Sequence, residues 1–87
     1  MEREDIILET FDPEHIMKIA PIPLICVYKR PADYPQKFVA RLWNVDRATR
    51  YIVLADTIEE VRKAVPPDMI RFPRDQKDDP CIIESYI

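Results

Sequence analysis

The sequence predicts an α+β fold: a small, mostly antiparallel sheet with one main helix on one face, in the order β-β-β-α-β, and a possible short helix near the amino terminus. Three observations point there. The proline-free window of residues 36–65 alternates in "KFVARLW", runs almost entirely apolar in "RYIVLAD", and then opens a helix with Thr57 and Glu60 in the spacing of a capping box. Nine prolines punctuate the rest of the chain, and there is no glycine, so turns fall to proline, asparagine and aspartate. At 87 residues the chain is long enough for one domain and one small core.

Near the amino terminus, "FDPEHIMKIAP" offers Asp12 as N-cap, Pro13 as first helical residue and Pro21 as stop, which predicts one or two helical turns. Residues 24–30, "LICVYKR", are rich in β-formers and lie between Pro23 and Pro31. In "KFVARLW" the period of two sets Phe38, Ala40 and Leu42 toward the core and Lys37, Val39, Arg41 and Trp43 on the other face. Asn44 and Asp46 are the residues of the following turn best suited to a left-handed backbone. "RYIVLAD" reads as an internal strand. Thr57 caps the main helix by accepting from the Glu60 N–H, with the Glu60 side chain expected to reach back to the Thr57 N–H. Pro66 and Pro67 end it. "DMIRFPRDQKDDP" reads as irregular loop, and "CIIESYI" as a closing strand whose free edge would suit pairing with a second copy of the chain.

Composition excludes several functions. Without glycine there is no phosphate-binding loop, no dinucleotide fingerprint and no strained nucleophile elbow. His15 is the only histidine, which leaves no His-His metal pair and no clear partner for a nucleophile. Cys26 and Cys81 each lie in an apolar run and are expected to be buried thiols. The acidic amino-terminal segment, residues 1–15, lacks the pattern of a signal peptide, and no apolar run is long enough for a bilayer. A cytoplasmic, non-enzymatic protein with no cofactor and no membrane role is the resulting expectation.

Charge is uneven. Residues 1–15 carry net −5, residues 16–77 net +5 and residues 78–87 net −3. A basic body suits an interaction surface. The candidate binding residues are Lys37, Arg41 and Trp43 on strand two, Tyr51 on strand three, and Tyr28 and Arg30 on strand one, an aromatic-basic sheet face able to stack single-stranded bases or to meet a protein. A second group, Arg71 and Arg74 with Asp75, Asp78 and Asp79, reads as a salt-bridged loop that could also grip an anion. A protein partner is the first expectation, single-stranded nucleic acid the alternative, and a homodimer a secondary one.

The segments "FVARLW", "YIVLADTIEEVRKAVP" and "RFPRDQKDDPCIIESYI" resemble a group of small bacterial proteins of unknown function over residues 36–87. The resemblance implies a bacterial source and no activity. A fainter one, to antitoxins of the HicB type, rests on the three-strand, helix, strand order and the Asp56-Thr57 step. The glycine-bearing strand motif of those antitoxins is absent, so no site residue carries over.

Overall fold

A computed structural model of the chain describes residues 4–74 and 80–87. It is an α+β fold built on one six-stranded, mostly antiparallel sheet with two helices. The elements in chain order are β1 (Ile6–Leu8), α1 (Pro13–Ile19), β2 (Pro23–Lys29), β3 (Phe38–Asn44), β4 (Arg47–Ala55), α2 (Ile58–Ala64), β5 (Arg71–Pro73) and β6 (Ile82–Tyr86). The spatial order is β1-β4-β3-β2-β6-β5, with only the β1–β4 pair parallel.

The two helices form as their caps predict. Asp12 accepts from the Glu14 N–H ahead of Pro13, and the α1 backbone gives out at Ala20, beside Pro21. Thr57 accepts from the Glu60 N–H at 3.2 Å. The return half of the capping box differs from expectation: the Glu60 carboxylate accepts from the Thr57 hydroxyl instead of the Thr57 N–H. One bond of the box thus satisfies a helix end and the other only orders a side chain.

Both helices cover the same sheet face. Ile16 of α1 and Val61 and Ala64 of α2 pack on Ile25, Val27, Ala40, Leu42, Val53 and Ala55, the inward set that alternation assigns on three consecutive strands. Each fully buried Ile, Leu or Val contributes roughly 1.5–3 kcal/mol, so this layer dominates the stability. Phe11 joins it from the segment before α1. The last α2 carbonyls need partners outside the helix, and that of Ala64 accepts from both the Phe11 N–H and the Thr10 hydroxyl.

Two strands lie outside the predicted order. β1 sits in the acidic amino-terminal segment and β5 in the stretch read as loop. Each has three residues, too few for a period to show. Their placement also corrects the expectation of a free carboxy-terminal edge, because β6 lies between β2 and β5, antiparallel to both. The exposed edges are β1 and β5, and Pro73 on β5 is suited to an edge because it has no N–H to offer a neighbour.

The β3–β4 turn departs from expectation in a second way. Val45, not Asn44 or Asp46, takes the left-handed backbone, with φ of 57°. Asn44 is used differently: its side-chain carbonyl accepts from the Ile22 N–H, while the Val45 N–H donates to the Ile22 carbonyl. The glycine-free turn is therefore tied sideways to the segment before β2. A β-branched residue in this region is strained by about 1–2 kcal/mol. Val45→Asn is expected to raise stability by about 1 kcal/mol in urea denaturation, because asparagine tolerates the left-handed region. A loss of stability would show that the half-exposed Val45 side chain matters more than its backbone.

Candidate functional site

The face opposite the helices holds the candidate site. Pairing fixes its rows. One runs across all six strands through Phe72, Ser85, Cys26, Arg41, Ile52 and Ile7, and another joins Tyr28, Val39 and Leu54. Near the other sheet end, Leu24 lies opposite Trp43, and Ile70 and Ile87 exchange both backbone hydrogen bonds. The β6 register carries Ile87 beside Leu24.

At the centre of this face Arg41 is 93% buried, the reverse of the exposed cation that its alternation suggested, since its relative exposure is 7%. The side chain crosses β4. Nη1 donates to the Thr49 carbonyl at 2.8 Å and to Asp5 Oδ1 at 2.9 Å, and Nη2 donates to Asp5 Oδ2 at 3.2 Å. Tyr34, from the β2–β3 loop, donates to the same Oδ2 at 3.0 Å. A carboxylate just before β1, an arginine on β3 and a tyrosine in a loop are thereby joined over the sheet. Burial, then the bond to Asp5, raises the Tyr34 hydroxyl above its ordinary value of 10.0.

The loop over residues 30–37 borders this region. Arg30 takes φ of 48° and its N–H donates to the Lys37 carbonyl, which folds the loop back on the sheet. Beneath it lies a cavity of about 140 Å³ lined by Tyr28, Pro31, Asp33, Tyr34, Val39 and Arg41.

The remaining predicted site residues divide. Tyr28 lines that cavity. Trp43 is half-buried on the same face, and its indole N–H is buried without an acceptor among the described residues. Tyr51 belongs to the other face, packed on the core and in edge contact with His15 at 5.7 Å between ring centres. Lys37 pairs with Asp56 in solvent. Arg30 and Arg74 are exposed. Arg41, Trp43 and Tyr51 therefore do not share one surface, and the aromatic-basic face expected from the sequence is not assembled as drawn. Cys26 and Cys81 are half-buried where burial was expected.

Arg71 belongs to a second network, on the helix-covered face. Glu84, almost fully buried, accepts from Arg62 Nε at 3.1 Å and Nη2 at 2.9 Å and from the Tyr86 hydroxyl at 2.6 Å, with Arg71 Nη1 at 4.0 Å. Burial pushes the Glu84 carboxyl up, but the bonds from Arg62 and Tyr86 and the charges of Arg62 and Arg71 outweigh it and leave it below 4.5. Burial and the same carboxylate push Tyr86 up to about 12. This network clamps α2 to β6. Asp75, Asp78 and Asp79, the other members of the expected salt-bridged loop, lie outside the described residues.

Comparison with protein-family models, with curated proteins and with solved structures returns no match for this chain. Function must therefore be argued from the site. Among the described residues no group of three or more His, Cys, Asp or Glu side chains is placed to hold a metal ion, and no helix is long and apolar enough to cross a membrane.

Asp5, Asp33, Tyr34 and Glu84 are not among the site residues expected from the sequence. Glu84 alone left a signal: it is the single acid in an apolar closing strand, where a buried charge demands a cation.

Proposed function

We propose that this chain is a non-enzymatic module that binds another protein through the helix-free sheet face. The observation that carries the reading is the apolar end of that face. Ile70, Ile87 and Phe72 are 64%, 59% and 45% exposed and adjoin half-buried Leu24 and Trp43. Three large apolar side chains on neighbouring strands are a costly surface to leave in water, and such patches mark interaction sites. Aromatic residues beside them suit the centre of an interface. Nucleic acid fits this end less well, since Ile70, Ile87, Leu24 and Trp43 are uncharged and the Arg41 charge is already paired with Asp5.

The same surface serves a partner of another kind or a second copy of this chain, and sedimentation separates the two. The pure chain is expected to run at its monomer mass of 10.3 kDa if the partner is a different protein, and heavier if it is a second copy. In either case the double variant Ile70→Asp, Ile87→Asp should abolish the association while changing stability by less than about 0.5 kcal/mol per site, because both residues are exposed. An association that survives both charges would place the interface elsewhere.

A further inference from the structure

We infer that the cavity under the 30–37 loop binds a small uncharged molecule through an amide or imide edge, its carbonyl oxygen on Arg41 and its N–H on Asp33. The inference is independent of the protein-binding reading, since the cavity and the apolar row occupy different parts of the face.

Arg41 carries the argument. A guanidinium has five N–H groups. Two point at Asp5 and one at Thr49, and among the described residues the Nε–H and the second Nη2–H have no acceptor. These two lie on one edge of the guanidinium and form a fork. The direction of that edge follows from the shared oxygen: Asp5 Oδ2 receives both Nη2 and the Tyr34 hydroxyl, so the Nη2 side faces Tyr34, a wall of the cavity, and the Nη1 side faces Thr49. The Nε atom is not among the buried polar atoms that lack a partner, so this edge is reachable from solvent and can meet a ligand.

Charge selects the ligand. Asp5 already neutralises Arg41, and Asp33 adds a negative charge on the exposed side, so an anion would meet two carboxylates for one cation. A cation offers nothing to the N–H fork. A neutral carbonyl compound uses the fork, and an adjoining N–H matches the Asp33 carboxylate. Size and walls narrow it further: cavities of about 150 Å³ accept a benzene-sized molecule, and two tyrosine rings with Pro31 and Val39 favour a flat one.

Uracil has this shape and edge, and the same edge occurs in a uridine of single-stranded RNA. The test is an NMR titration with uracil, with benzoate and benzylamine as ions of similar size. Saturable shifts of the Tyr28 and Tyr34 ring signals and of the Arg41 Nε–H are expected, with a Kd on the order of 1 mM and binding at least about 10-fold weaker for both ions. Asp33→Ala should weaken uracil about 10-fold without touching the Arg41–Asp5 bonds. A hexauridylate arm separates the sources: equal affinity per base assigns the ligand to the free heterocycle, and much tighter, salt-sensitive binding assigns it to RNA. No saturation by about 10 mM uracil, benzoate binding as tightly, or an Asp33→Ala protein that binds like the parent would overturn the inference.

Discussion

Asp5→Ala is expected to destabilise the protein by about 3–5 kcal/mol, the largest effect of any single substitution considered. Both side chains of the Arg41–Asp5 pair are almost entirely out of water, at 8% and 7% exposure, so removing the carboxylate leaves a buried guanidinium whose one remaining acceptor among the described residues is the Thr49 carbonyl. The Tyr34 hydroxyl loses its acceptor in the same step. For a domain whose total stability is of the order of 5–15 kcal/mol, this is a large share. The double variant Asp5→Leu, Arg41→Met should recover most of the loss, since apolar replacement of a whole buried pair is often neutral or better. Urea denaturation of both variants supplies the comparison. A loss under about 1 kcal/mol for Asp5→Ala would mean that β1 detaches locally and that the pair lies outside the cooperative fold.

The second large effect is expected at Glu84, where Ala should cost about 3 kcal/mol. The loss is smaller than at Asp5 because the Arg62 side chain is 42% exposed and water recovers part of its interaction. What remains is the buried Tyr86 hydroxyl left without an acceptor. Glu84 also makes stability depend on pH. Its pKa is depressed in the folded chain, so its contribution is complete above the ordinary value of 4.5 and is lost as pH falls through a folded-state value below that. Tyr86 works in the opposite sense. With its pKa raised from 10.0 to about 12, its contribution is complete below pH 10 and is lost as pH rises through about 12. Denaturation midpoints should therefore fall at both extremes, the acid limb flattening in Glu84→Gln and the alkaline limb in Tyr86→Phe. Unchanged limbs would deny these two groups their role.

How far the sequence discloses this molecule depends on the range of each signal. Asp12, Pro13 and Thr57 act within one helical turn, and the alternation of Phe38, Ala40 and Leu42 needs only the strand itself, so both helices and β2, β3, β4 and β6 are legible. The three-residue strands β1 and β5 exist because longer strands offer them an edge, and nothing in "IIL" or "RFP" states that. Arg41 shows the limit most sharply. Its alternation places it correctly on the second face, but whether that face meets water depends on Asp5, 36 positions away, and on Tyr34 in the loop. Val39, which is buried on the same face, was the available hint that the face is partly covered. Val45 misled for a related reason: Asn44 was better suited to the left-handed position, but its side chain is engaged by Ile22.

The proposed interaction surface accordingly differs from the one expected from the sequence. The basic-aromatic cluster read from the chain is divided between two faces, whereas the apolar end of the helix-free face comes from Ile70 and Phe72 of a segment read as loop and from the final residue, Ile87. An interface built there is dominated by apolar burial and should be little affected by salt, unlike a surface that displaces counterions from phosphates.

The most direct test of that placement is photo-crosslinking in cells that express the chain with a benzophenone side chain at Ile70 or Ile87, and at Lys63 on the opposite, helix-covered side. A discrete protein adduct at Ile70 and Ile87, absent at Lys63 and abolished by Phe72→Asp, is the predicted result. Adducts as strong at Lys63, or only to nucleic acid, would contradict the account.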